Sequence, residues 1–473
     1  MLFPTIEFLL FFLAVFAVTW LLNSRNALKK SFLLAASYFF YACWNWRFVF
    51  LLLFSAGLNY VAGLLIGSRA EGSRSRKTVM WIGVAGNLSL LGYFKYCDFA
   101  SAQMQNLAAF FGARLELGYS EIALPVAISF LTFHGLSYIL DVYRGKVAPT
   151  RSLRDLMLYM SFFPHLVAGP IVRAADFLGQ LSRPSDPRAI EIGPAVLLIV
   201  GGLFKKVVIA SHLATLFVDP IFTNPAGFGS LDLVIGAYAY AIVIFCDFSA
   251  YTDIAIGIAN LLGYRFPQNF NQPYQAVSLQ DFWHRWHMTL SSWLRDYLYI
   301  PLGGNRKGRL RTYVNLLVTM MLGGLWHGAG LQFIVWGMMH GLGLAIERFI
   351  GELTGFTGRY KTALGTFAGW FITFNFVCVA WIFFRSQSLA DALGYLGAIG
   401  AGNRTPTTLT PLIGVLLALG FLTQFLPRNF AARLQGAFES WPLPGKVLAT
   451  SGAISAIALL APTGIAPFIY FQF

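Results

Sequence analysis

Imidazole is the side chain best suited to passing protons near neutral pH. Three of this chain's seven histidines, His284, His287 and His327, crowd into the stretch from Asp281 to Gly328. His327 closes the apolar run MMLGGLW and is followed by Gly328. An ionisable ring there lies at or below a membrane interface. It serves as a general base and acid, or it is a packed, satisfied histidine; the residues alone leave both open. His284 and His287, spaced i and i+3, are expected on one helix face. With Asp281 they offer three ligand atoms, but neither HExxH nor a Cys–His pattern is present, so no metal is expected. His134, His165, His212 and His340 lie on apolar helices or at breaks and read as structural. No GxSxG motif occurs, so the reacting hydroxyl or thiol of an enzyme would belong to its substrates.

The same stretch carries GGNRKGRLR, with Asn305, Arg306, Lys307 and Arg309. Gly303 and Gly308 have P-loop spacing, but Arg309-Leu310 stands where Lys-Ser/Thr is required. The loop is a positive-inside anchor, and its cations suit the phosphates of an anionic donor such as coenzyme A. Tyr470, in the tail FIYFQF, is either an interfacial aromatic anchor or a hydroxyl that receives a transferred group.

These residues must be held by a membrane-embedded scaffold. The chain is 57% hydrophobic and only 11% charged, where soluble domains carry about 25%. Continuous apolar runs of roughly 18 to 22 residues predict spanning helices and exclude a barrel. The net charge of +14 falls in short loops, where it sets orientation and meets anionic lipid; no nucleic-acid partner is expected. Cys43, Cys97, Cys246 and Cys378 stand apart as packed free thiols. The start MLFPTIEFLL lacks the charge pattern of a cleavable signal, so residues 6–22 are expected to be a retained span.

Further helices are expected over 32–66 (two, with a turn at 44–47), 79–97, 122–140, 192–217, 232–262, 312–326, 331–350, 364–384, 409–426 and 446–461. Basic loops at 23–30, 67–77 and 144–154 share one register, which makes that side cytoplasmic and the N-terminus external. Residues 156–172 are broken by Pro164, Gly169 and Pro170, as in a re-entrant segment. Asp281 to Tyr299 is too polar to span and reads as amphipathic helix at the interface or in a funnel wall. Asp247 and Asp253 share one span; a mid-membrane carboxylate costs about 2.5–3.5 kcal/mol, so a polar interior or structural hydrogen bonds must compensate them.

HRWHMTLSSWLRDYLYIPLGGNRKG followed by MLGGLWHGAG resembles the membrane-bound O-acyltransferases, most nearly the bacterial branch that O-acetylates alginate. LGYFKYCDF, LPVAISFLTFHGLSYILDVYRG, FFPHLVAGPIVR, FCDFSAYTDIAIG and YRFPQNFNQPY carry the same resemblance, which spans residues 38–348. It implies an all-α multi-helix bundle with re-entrant segments and funnels from both faces. It implies one membrane domain over 1–473, with helices at 360–473 completing it. It implies a catalytic His327 and a second functional histidine, His287. His284 departs from the arginine common at that position.

The expected reaction is O-acyl transfer from a cytoplasmic thioester, acetyl-CoA, with no bound cofactor. The acceptor is an extracytoplasmic polysaccharide, reached directly or through a periplasmic acetyltransferase or polysaccharide-assembly partner, from the bacterial inner membrane. His327 is the expected general base; His287, Trp293 and Asn305 are candidate oxyanion donors; Tyr470 is a candidate acyl relay. Arg306, Lys307 and Arg309 are expected to face the donor. D-alanyl transfer from a carrier protein, peptidoglycan O-acetylation and a non-enzymatic flippase are the alternatives. The lack of an internal repeat disfavours the last.

Overall fold

The computed structural model of the chain describes residues 3–117, 122–355, 360, 362–403, 407–427, 429–462, 464 and 468. Among them all regular structure is helical, with no strand. Lipid offers no partner to a backbone N–H or C=O, so each segment must satisfy its own, and a helix does. Five described stretches are long and apolar enough to cross a membrane: Asn26–Gly67, Ile192–Thr223, Ser230–Leu261, Leu331–Thr354 and Ala363–Arg385. Ile6–Leu21, Leu389–Gly400 and Leu443–Leu459 are shorter apolar helices. The chain is an all-α, polytopic membrane protein.

Local chemistry accounts for the boundaries. The expected pair over 32–66 is Asn26–Asn45 and Val49–Gly67, separated by the 3-10 turn Trp46–Phe48. The Asn45 side chain accepts from the Arg47 N–H at 3.0 Å and so starts that turn. The expected span 79–97 is longer: Arg74–Leu91 runs through a π-turn, Gly92–Tyr96, into Cys97–Phe110. The next helix starts only at Ile128, after Pro125. The break near Pro164 is present, with Leu153–Ser161 ending at an extended Phe162. Leu389–Gly400, a short apolar helix, and Phe430–Ser440, which carries Arg433, Gln435 and Glu439, were not among the expected helices.

The chain forms two units, Met1–Glu191 with Ile258–Pro267, and Ile192–Gly257 with Gln268–Phe473. Polar contacts knit the helices of the first. Asn59 and Asn87 exchange amide hydrogen bonds at 3.1 and 3.0 Å, the kind of cross-helix link membrane bundles use. Lys30 pairs with Asp155 at 2.7 Å. Arg76 donates to the Val142 and Tyr143 carbonyls and caps the C-terminus of Ile128–Tyr143.

In the second unit, both span aspartates meet lysines. Lys205 Nζ is 2.6 Å from Asp253, and Lys206 Nζ is 2.7 Å from Asp247. The two lysines are neighbours on a π-turn, Phe204–Ala210, a wide helical turn that recurs at functional sites.

Arg309–His327 and Leu331–Thr354 form a tight helix hairpin in this unit. A Cβ on Gly324 would run into the Phe333 carbonyl oxygen. One on Gly337 would run into the Met320 carbonyl oxygen and stand 2.9 Å from Met321 Cα. Backbone cannot step aside as a side chain does, so Gly337→Val must push the helices apart. We expect a loss of about 1–3 kcal/mol or more, read as a lower thermal unfolding midpoint in detergent. An unchanged midpoint would disprove the close approach.

Candidate active site

The polar stretch 281–299 is three pieces, where one amphipathic helix was expected. Leu279–Arg285 and Met288–Leu294 are short α-helices, and Arg295–Tyr299 is a π-turn. The break is at His287, whose φ of 42° and ψ of 55° place it in the left-handed region. Such a conformation is uncommon outside glycine and persists where surrounding contacts over-determine it. It also ends the expected pairing of His284 with His287: His284 is exposed on the first helix, while His287 is wholly buried. Asp281 is held by Arg285 at 2.8 Å. Among the described residues no three His, Cys, Asp or Glu side chains are grouped to hold a metal ion.

The contacts that hold His287 come from Asn269. The buried Asn269 Oδ1 faces His287 Nδ1 at 3.1 Å and accepts from the Thr289 N–H at 3.1 Å and the Thr289 hydroxyl at 2.9 Å. The Asn269 carbonyl accepts from the Met288 N–H at 2.9 Å. Asn269 therefore caps two N–H groups that the first turn of Met288–Leu294 leaves without helical partners. The Asn269 amide N–H reaches Thr252 Oγ1 at 3.5 Å. Phe248 meets the His287 ring edge-on, with centroids 4.7 Å apart. Burial pushes the His287 imidazole down to about 3, so it is neutral near neutral pH.

His327 is the last residue of Arg309–His327 and is 5% exposed. Its ring lies against Trp326, Trp336 and Phe384, with centroids 4.8, 5.1 and 5.1 Å away. Trp326 also neighbours His287, at 6.4 Å. The two histidines singled out in the sequence thus flank one indole, although 40 residues separate them (327 − 287). Trp336 continues the cluster to His340, at 4.9 Å, whose Nδ1 accepts from the Trp283 indole N–H.

The other expected residues lie elsewhere. Trp293 is buried on Met288–Leu294, with its ring against Tyr297. Asn305, Arg306, Lys307 and Arg309 are exposed; Arg309 reaches Glu352 at 3.3 Å. They sit at the start of the helix that His327 ends. Eighteen rises of 1.5 Å put roughly 27 Å between its ends. Tyr470 lies outside the described residues. Phe468 is described: it is buried against Tyr251 at 4.9 Å and Phe248 at 6.1 Å, and Phe248 is the ring on His287. Asn269 was not singled out in the sequence. It lies in the proline-containing stretch QNFNQP, where no periodicity marks it, and its flanking motif YRFPQNFNQPY was its only signal.

The model of the membrane-bound O-acyltransferase family matches residues 144–390. The chain is 37% identical to a "Probable alginate O-acetylase AlgI" of Pseudomonas putida, over all of both chains. It is 37% identical to a "Peptidoglycan O-acetyltransferase" of Helicobacter pylori, over 80% of this chain and 75% of that one. A "Teichoic acid D-alanyltransferase" of Bacillus subtilis is 29% identical over 55% of this chain and 69% of its own length. The matched region contains His287, His327 and the helices that bring them to one indole, and the chain belongs to the membrane-bound O-acyltransferase family and is a multi-pass membrane O-acyltransferase.

Proposed function

We propose that this chain, working as one domain over 1–473, moves an acetyl group from cytoplasmic acetyl-CoA across the bacterial inner membrane for O-acetylation of an extracytoplasmic polysaccharide. The observation that carries this reading is a single helix with exposed cations at its start and a buried histidine at its end. Its cationic end offers Arg306, Lys307 and Arg309 to the donor's phosphates, and Arg suits phosphate because its donors are forked. At its buried end, His327 takes the proton of the attacking hydroxyl. The hydroxyl oxygen bonds to the acyl carbon, the C–S bond breaks, and the proton passes to the leaving thiolate. Only the small acyl group need cross lipid. Asn305 belongs with the donor's phosphate end by this reading, too far from His327 to serve the reacting carbonyl. The acetylating relatives favour acetyl as the acyl group; the D-alanylating relative covers less of the chain.

The direct test is the purified chain in nanodiscs with radiolabelled acetyl-CoA and, in parallel, a D-alanyl-loaded carrier protein. Label leaving acetyl-CoA for a hydroxyl acceptor or for the chain itself supports the reading. Turnover of the loaded carrier alone replaces it with D-alanyl transfer.

The first acceptor in this reading is Tyr470, which passes the acetyl group to a periplasmic acetyltransferase or assembly partner. Phe468, two residues earlier, packs against Phe248, the ring that meets His287, and that contact supports the reading. Tyr470→Phe is expected to abolish the labelled chain and lower polymer acetylation by at least about 10²-fold, the scale of a lost catalytic group. Mass spectrometry of the C-terminal peptide checks it. Full activity in the variant removes the relay.

A further inference from the structure

We propose that Asn269 is a positioning residue of this site: it locks His287 with its proton on Nδ1, so that Nε2 presents a lone pair to an O–H or N–H group of a substrate. The inference rests on the reading of His287 as a functional histidine of an acyltransferase and deepens it.

A backbone N–H can only donate. The Thr289 N–H points at one end of the Asn269 amide from 3.1 Å, so that end is the oxygen. The same oxygen faces His287 Nδ1 at 3.1 Å. An oxygen that only accepts requires a proton on Nδ1. In a neutral imidazole the other nitrogen is then unprotonated. That nitrogen, Nε2, is buried and has no hydrogen-bond partner among the described residues. A buried acceptor without a partner is a costly group to keep, and in an active site a substrate donor can fill it.

Three features hold the ring so. Asn269 grips the two residues that follow His287, through the Met288 and Thr289 N–H groups. The left-handed turn at His287 brings Nδ1 and those N–H groups to one side chain. Thr252 steadies the far end of the amide. On this proposal a neutral His287 accepts at Nε2 and is not an oxyanion donor there.

The test has a structural and a kinetic arm, both on the full chain in nanodiscs. With 15N-histidine labelling, the His287 resonances are those lost in His287→Gln. The expected spectrum has a protonated Nδ1 and an unprotonated Nε2. A protonated Nε2 in the unsubstituted chain overturns the proposal. Asn269→Leu keeps the side chain's size and removes the acceptor. Its kcat should fall about 10–100-fold, as when a histidine loses its orienting partner, with KM for the thioester little changed. Asn269→Asp keeps the acceptor oxygen and should stay within about tenfold of the parent, with a shifted pH–rate profile because a carboxylate stabilises imidazolium. A parent-like kcat in Asn269→Leu, or equal loss in a folded Asn269→Asp, overturns it. If the parent chain transfers no acyl group at all, the functional reading fails while the tautomer measurement still decides this one.

Discussion

Replacing His327 with Ala should abolish polymer-bound acetate in cells while the protein still reaches the membrane. A general base contributes about 10²–10⁴ in rate, and no other titratable side chain is placed by the same helix at the same buried end. The ring also fills space between Trp326, Trp336 and Phe384. Truncating a buried ring to Ala costs about 3–5 kcal/mol through lost contacts and a cavity, so lost activity alone would be ambiguous. His327→Gln keeps most of the volume and much of the hydrogen-bonding capacity without the proton chemistry. Both variants should fall to a similar low rate, while the Gln variant unfolds closer to the parent midpoint. Normal acetylation by either, at matched membrane levels, would remove His327 from the mechanism.

A comparable loss, of stability this time, is expected on splitting the Lys206–Asp247 pair. Both side chains are buried and 2.7 Å apart. Lys206→Met leaves a carboxylate in low-dielectric surroundings without its lysine, at a cost of about 3–5 kcal/mol. Removing both charges should recover most of it, because two charges taken from water repay little beyond their own desolvation. The single variant should therefore unfold at much lower temperature than Lys206→Met/Asp247→Leu. Equal midpoints for single and double variants would mean that the pair is not coupled. The pair adjoins the site along the chain, since Asp247 precedes Phe248, the ring that packs on His287. If the double variant regains stability but not rate, the charges also serve the reaction.

These two experiments probe features of different legibility. His327 stands out in one dimension: an ionisable ring closing an apolar run is conspicuous wherever the chain crosses lipid. The helices around it were legible for the same reason. Spanning lipid imposes a local rule, residue by residue, that backbone polar groups be satisfied within the segment, so Ser230–Leu261 and Ala363–Arg385 appear nearly at their expected bounds. The break at Phe162 was legible too, because proline acts on its immediate neighbours.

What the residues alone determined was thus the all-helical membrane class and the family motifs, with two histidines as candidates. The tertiary structure decided who holds them. Asn269 lies 18 residues from His287, and the two meet because His287 turns left-handed, against the local preference of the chain. Lys205 and Lys206 find their aspartates 48 and 41 residues away (253 − 205 and 247 − 206). The aspartates were visible as a problem, while their solution sat on another helix. Pairings of this kind depend on how helices pack, and helix packing is a property of whole surfaces that no short window of sequence encodes. Lipid writes its demand into each segment separately; the candidate site is written only where segments meet.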